Sequence, residues 1–451
     1  MTHRNERALQ VGSLARVEGE GAMRIRLHDG EVADVQLEIY EPPRFFEAFL
    51  RGRRYTEPPD ITARVCGICP VAYQMSACRA IEDALDVMVP QPIANLRRLL
   101  YCGEWIESHA LHIYLLHAPD FLGYESAIAM ARDHRPLVER GLALKKAGNE
   151  ILELVGGRAI HPVNVRIGGF YRAPARAKLI PLAERLRWAG DAALETVRWV
   201  AGFDFPDFEH DHQMFALSLP GTYAIEAGTP TYRGVLGEPV GATRSFPVSG
   251  FEQHVVEEQV PHSTALHARL AGERYLVGPT ARYTLNSQWL SEPARAAARE
   301  AGLGTECRNP FRSILVRAVE IVYAVDEALR IIEAYEPPDR PWIDVEPHAG
   351  VGYGATEAPR GVLYHRYDLD ADGLVTAARI IPPTSQNQAA IEDDLRRFVM
   401  SRLDLGDERL QWECEQAIRN YDPCISCSTH FLDLSVIRTG DGPAERLAGH
   451  R

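Results

Sequence analysis

The chain has no stretch approaching the roughly 18 uninterrupted apolar residues of a membrane helix. Its start, MTHRNERALQVGSLARVEGEG, also lacks the apolar core of a secretory signal. A soluble or peripheral protein without a membrane span is expected, with the cytoplasm as its location. Cysteine is scarce, 8 in 451 residues, which makes a disulfide framework improbable and reduced thiols the expected state. Excess positive charge is missing too: a net charge of −13 disfavours nucleic acid and anionic membrane as partners. There is no G-x-G-x-x-G strand-turn-helix unit, so the chain itself is not built for a dinucleotide. Cys78, Cys102, Cys307 and Cys414 are scattered without the spacing of iron–sulfur ligands and read as ordinary buried residues.

What is present is an ordinary globular composition, 46% apolar and 25% charged, enough for a sizeable core. From Ala22 to Tyr40, apolar and polar residues alternate on both sides of Asp29-Gly30, a pattern that predicts a β-hairpin. Helical periodicity follows over about Ala72–Leu85, Ile93–Leu116, Leu137–Leu154, Ile180–Val200 and Ser313–Tyr335, the last stopped by Pro337-Pro338. A second hairpin is expected around Asp372-Gly373 and a further helix over Leu410–Asn420. Between Phe203 and Ser291 the density of Gly and Pro rises, which predicts irregular loops with short strands. The expected class is α+β, mainly α: a long-helix bundle with peripheral β-hairpins.

Two Cys-x-x-Cys pairs lie near opposite ends of the chain, Cys66/Cys69 in RVCGICP and Cys424/Cys427 in DPCISCSTH. Local zinc sites draw ligands from short stretches, whereas these pairs meet only if most of the chain folds between them. Such sharing predicts one interlocked unit over 1–430. Four thiolates suit zinc, iron or nickel over magnesium or calcium. On spacing alone, a structural tetracysteine zinc site and a redox-active centre both remain open.

The motifs RVEGEG, RVCGICP, GGRAIHP, EAPRG and DPCISCSTH occur in an order that resembles large subunits of nickel-iron hydrogenases, from about Arg16 to His430. The resemblance is nearest to the cytoplasmic multi-subunit type linked to NAD(P) or polysulfide. It implies Cys66 and Cys424 as terminal nickel ligands, with Cys69 and Cys427 bridging nickel to an iron that carries carbon monoxide and cyanide. Dihydrogen would be split or formed heterolytically at the open position between the metals, with Cys424 giving its proton to Glu18. Arg360 would hang over that position, its pose fixed by Asp120 and Asp422. Pro359 and Thr384 would line the iron's diatomic ligands, Thr384 as a hydroxyl donor. Glu47, the carbonyl of Ile380 and His430 would share a magnesium ion. His161 sits in a matched motif without an assigned step.

At one position the chain departs from that pattern: Tyr73 stands where the family often has a histidine, and Gln74 is a neighbouring alternative donor. Beyond His430 lie residues 431–451, beginning at Phe431, and the family's mature subunit ends at the histidine. A C-terminal extension removed by a maturation protease is therefore expected, with nickel chaperones as further partners. The resemblance also implies an iron–sulfur small subunit and flavin- and NAD(P)-binding subunits with additional clusters. The rival readings are a deazaflavin-linked hydrogenase subunit, a structural zinc protein, and the quinone-site subunit of respiratory complex I, which lacks the four cysteines.

Overall fold

Residues 6–234 and 241–429 are described by the structure, a computed structural model. Its N-terminal sheet has three antiparallel strands, Glu6–Val11, Gly21–His28 and Glu31–Ile39, in that order. The expected hairpin is present, and both turn residues take positive φ, 51° at Asp29 and 81° at Gly30, as a turn that follows the strands' twist requires. The apolar face of this sheet packs on two helices near the C-terminal end, Pro383–Met400 and Asp407–Arg419.

Four long helices form the bundle: Gln91–Leu111, Arg135–Gly156, Arg176–Ala201 and Ser313–Glu333. Their predicted centres hold. The Gln91–Leu111 helix does not run on to residue 116 as a regular α-helix but widens into a π-helical turn over His112–His117. A continuous apolar cluster runs through the bundle, and all four motif cysteines sit in it. The class is α+β with helix dominant, as expected.

The segment that resisted reading holds a four-stranded sheet whose partners are distant in sequence: Gln213–Ser218 pairs in parallel with Tyr275–Leu276 and antiparallel with Thr229–Arg233. The hairpin around Asp372-Gly373 belongs to a three-stranded sheet, Gly350–Ala358, Gly361–Leu369 and Val375–Ile381.

One contact between that sheet and a helix positions the site. The Pro70–Ala84 helix lies on the Gly350–Ala358 strand, where a glycine at every second position faces it. A Cβ on Gly352 would come within 2.0 Å of the Ala80 carbonyl oxygen, and one on Gly354 within 2.5 Å of that of Ser76. Only bare backbone permits this approach. The helix begins immediately after Cys69 and the strand ends immediately before Pro359-Arg360, so their close packing brings those two points together. No helix among the described residues is long and apolar enough to cross a membrane.

Candidate metal centre

Cys69 is the N-cap of the Pro70–Ala84 helix, and Pro70 takes the first helical position, where no donor is lost. The next two free amides are capped by a residue from another helix: Glu104 accepts from Val71 N–H at 2.6 Å and Ala72 N–H at 3.1 Å. Within the loop, Ile68 N–H donates to Cys66 Sγ at 3.3 Å. His161 Nδ1 donates to the Ala63 carbonyl at 2.7 Å and so braces the residues entering the loop. That is a positioning contact for a residue to which the sequence assigned no role.

The second pair follows the Asp407–Arg419 helix. Asp422 turns the chain with φ 50°, a conformation its short side chain tolerates, and the loop Cys424–Cys427 is held by distant segments. Ile425 N–H donates to Glu18 O at 2.9 Å, Ser426 N–H to Glu18 Oε2 at 3.0 Å, and Cys424 N–H to Thr384 Oγ1 at 3.0 Å. Accepting that bond leaves the Thr384 hydroxyl hydrogen free to donate elsewhere. Arg44 Nη2 donates to the Val65 carbonyl at 2.8 Å and also to that of Ser426, so one guanidinium spans both loops.

The four buried sulfurs converge, all within 4.8 Å of one another. Cys66 and Cys424 are 3.4 Å apart, Cys69 and Cys427 3.7 Å, and Cys424 and Cys427 2.6 Å. Tetrahedral thiolates about 2.3 Å from one ion have edges of about 3.7 Å, which the Cys66–Cys424 and Cys69–Cys427 separations approach, while Cys424 and Cys427 stand closer than such an edge. Hydrogen bonds from the other three cysteines hold Cys66 well below the usual thiol range, whereas burial pushes Cys424 well above it. Four thiolates at such spacing repel in a dry pocket, and a cation is what offsets them.

Residues around the sulfurs exceed what a structural ion requires. Glu18 Oε2 lies 3.1 Å from Cys424 Sγ. Burial and then the charge of Cys66 raise the Glu18 carboxyl above its usual range, against the bonds from Ser426 and Cys424. Arg360 is 3% exposed and donates through Nε to the Asp422 carbonyl at 2.8 Å and through Nη2 to Asp422 Oδ1 at 3.1 Å. Burial opposes the Arg360 charge, but Asp422 and the cysteines Cys424, Cys69 and Cys66 hold it on. Its Nη1 has no hydrogen-bond partner among the described residues, which leaves a buried donor for a non-protein acceptor. The donor set therefore fits a metal centre that carries small acceptor ligands.

Asp120 requires a correction. The expectation paired it with Arg360; instead it takes Arg419 through two bonds of 2.8 Å and Arg16 at 2.5 Å. Arg419 precedes the second cysteine loop and Arg16 precedes Glu18, so this carboxylate ties together the segments that carry Cys424 and Glu18. A single aspartate in HAPDF gives no sign of which arginine it meets.

Ile380 N–H donates to Glu47 Oε1 at 2.8 Å, which sets this carboxylate beside the Ile380 backbone. His430 lies outside the described residues, as does the segment 431–451. The Pro359 carbonyl accepts from Arg282 Nη2 at 2.8 Å. Burial and then the charges of Cys427 and Cys69 raise the Tyr73 phenol well above its usual range, while Gln74 spends its amide on the Pro162 carbonyl at 2.7 Å. Cys78, Cys102, Cys307 and Cys414 are buried apart from the centre.

Sequence reasoning missed Arg44, Glu104 and Arg282. Arg282 braces the Pro359-Arg360 turn from behind, bonded to Glu320 at 2.9 Å and Glu357 at 3.0 Å and stacked 4.4 Å over Trp105. Arg44, three residues before Glu47, was open to suspicion by position. Glu104 and Arg282 carry no local signal, because their partners are remote.

Comparison with known proteins gives matches of three kinds. The family model described as nickel-dependent hydrogenase matches residues 44–150 and 264–430. The alpha subunits of sulfhydrogenases 2 and 1 of Pyrococcus furiosus are 35% and 34% identical; each match covers 94% of this chain, with 100% and 98% of the respective relatives. The solved structure of an NAD+-reducing nickel-iron hydrogenase in its H2-reduced state superposes with a TM-score of 0.83 at 26% identity, covering 94% of this chain and 99% of that one.

Proposed function

The chain belongs to the nickel-dependent hydrogenase family as a catalytic subunit, and on that premise we propose that Cys66, Cys69, Cys424 and Cys427 hold the nickel-iron centre at which it splits or forms dihydrogen. When bound, that centre supplies an open coordination position where the H–H bond is polarised and cleaved heterolytically. Cys66 and Cys424 would hold the nickel as terminal ligands, and Cys69 and Cys427 would be shared with an iron that carries carbon monoxide and cyanide. The unpartnered Arg360 Nη1 and the Thr384 hydroxyl are the donors for those ligands, and Asp422 fixes the guanidinium. Pro359 shapes the turn that presents Arg360.

The observation that carries the reading is the Glu18 carboxylate 3.1 Å from Cys424 Sγ. Cys424 takes the proton of the cleaved bond and Glu18 accepts it over that distance, in reverse for hydrogen formation. A raised carboxyl pKa suits a group that must both take and release a proton.

Electrons leave where the first loop meets solvent. Gly67 is exposed with the exposed Ile160 beside it, and the exposed Val163 and Tyr171 line a cavity of about 560 Å³. An iron–sulfur small subunit docks there, with flavin- and NAD(P)-binding subunits beyond it. The sulfhydrogenase and NAD+-reducing relatives support NAD(P) or polysulfide as the distant partner. The cytoplasm is the proposed location. Residues 1–430 act as one unit, a protease removes 431–451 after nickel chaperones have delivered the metal, and Glu47, the Ile380 carbonyl and His430 would be the residues to hold a magnesium ion.

The sulfur geometry alone also fits a structural zinc. Elemental analysis of the purified complex, with infrared bands of iron-bound carbon monoxide and cyanide, separates the two; zinc without those bands removes the hydrogenase mechanism. In Glu18→Gln, nickel, iron and the infrared bands stay while turnover is lost. Normal turnover in that variant overturns the proton route. An intact mass that retains 431–451 in active enzyme overturns the processing step.

A further inference from the structure

Away from the cysteine centre, three segments bring two imidazoles and a carboxylate together. His262 lies in the loop between the strands Val255–Glu258 and His267–Leu270, His267 begins the second of these, and Glu392 projects from the Pro383–Met400 helix. His262 Nε2 lies 2.7 Å from Glu392 Oε1, and His267 Nδ1 lies 4.0 Å from Glu392 Oε2. One ligand atom from each falls within 4.8 Å of the others.

Three features set this cluster apart from an ion pair that merely ties down a loop. His267 is 2% exposed, and its Nδ1, the ring nitrogen nearer Glu392, stands 4.0 Å from Oε2, too far for a hydrogen bond and a gap that an ion can close. Glu392 Oε1 also accepts from Leu37 N–H at 2.9 Å, the kind of outer contact that fixes a ligating carboxylate. A polar cavity of about 170 Å³ opens on His267 and Glu392, providing an entry path and room for water as a remaining ligand.

We propose that His262, His267 and Glu392 form a second metal site, specific for a borderline divalent cation such as zinc. Imidazole nitrogen with one carboxylate oxygen suits zinc over magnesium or calcium. Ligands about 2.0 to 2.1 Å from zinc stand about 3.3 Å apart, so small movements of the three side chains complete the set. The ion takes the place of the proton between His262 and Glu392, and that proton goes to solvent. Among the arginines of the cavity, Arg269 and Arg274 are paired with Glu258 and Asp393 and Arg396 donates to the Val32 carbonyl, while Asp34 and Glu38 add negative charge at His262.

The ion clamps the loop and the N-terminal sheet to the helix whose first turn carries Thr384, the partner of Cys424 N–H. Its existence does not rest on the nickel-iron reading.

The test uses the mature native complex, dialysed against a chelating resin and then against zinc, with zinc, nickel and iron measured together. Stoichiometric zinc is expected in the wild type. In His262→Ala it falls about tenfold or more with nickel and iron unchanged. Wild-type protein without zinc, or equal zinc in the variant, overturns the site. Cobalt loading of the wild type tests it without any variant: visible d–d bands lacking the near-ultraviolet charge transfer of thiolate ligation are expected, and absence of bound cobalt, or a thiolate spectrum alone, overturns it.

Discussion

The two cysteine loops reach the same centre by opposite means. The first is anchored by secondary structure: Cys69 caps a helix, Glu104 caps its next amides, and the Gly350–Ala358 strand presses against its side. The second follows a helix but is held by side chains and backbone from far-off segments, Glu18, Arg44 and Thr384 among them. A loop held by a helix and sheet forms when they form; a loop held by separate hydrogen bonds closes last and opens first. The contrast fits a centre that must admit metal before it shuts.

The largest expected effect falls on the first loop. Gly352→Ala places a methyl 2.0 Å from the Ala80 carbonyl oxygen, and backbone on both sides has little room to yield. A loss of about 3 kcal/mol or more is expected, with nickel uptake failing alongside, read by chemical unfolding and metal content. A variant as stable as wild type would show that the helix does not need this close approach.

Next is a dependence on pH carried by Glu107, on the helix that also supplies Glu104. Burial raises its carboxyl to about 7, against the pull of Lys145. A raised folded-state pKa means that the folded chain holds a proton the unfolded chain has lost. Glu107 therefore stabilises fully below the ordinary carboxylate range, and that contribution is lost as pH rises through about 7. Relative to Glu107→Gln, wild-type stability should fall by up to about 3 kcal/mol between pH 4.5 and 7.5. Parallel curves for the two proteins would place the carboxyl in its normal range.

Arg44→Ala bears on the second loop. It removes charged donors to the Val65 and Ser426 carbonyls, a cost of about 2 kcal/mol. Hydrogen exchange should quicken at the amides of 425–428 while those of 71–75 keep their protection. Equal loosening of both would break the contrast between the loops.

Much of this arrangement was legible from local pattern. The bundle helices followed from apolar periodicity, the first hairpin from Asp29-Gly30, and the sulfur centre from two short motifs whose meeting needed only a fold that closes. What stayed hidden depends on pairing across long separations. The strand Gln213–Ser218 makes its parallel partner of Tyr275–Leu276, and no local alternation announces that. Asp120 offers two oxygens to any guanidinium, and the choice of Arg419 over Arg360 is made by where the chain ends of three segments arrive. The glycines of Gly350–Ala358 were visible as residues, but their meaning depends on the helix laid against them.

The smallest prediction tests whether strain accompanies the clamp on the second loop. Phe45, directly after Arg44, is a half-buried aromatic at φ 53°, where a Cβ crowds the backbone. A left-handed conformation costs a side-chain-bearing residue about 1 to 2 kcal/mol, and glycine escapes that cost while giving up about 0.5 to 1 kcal/mol to greater freedom in the unfolded chain. Phe45→Ala and Phe45→Gly lose the same ring contacts, so the difference between them isolates the backbone. Glycine should be more stable than alanine by about 0.5 to 1 kcal/mol in thermal unfolding, the reverse of their order at an ordinary position. If alanine is the more stable, Phe45 sits relaxed, and the orientation of Arg44 towards Ser426 is set by its hydrogen bonds alone.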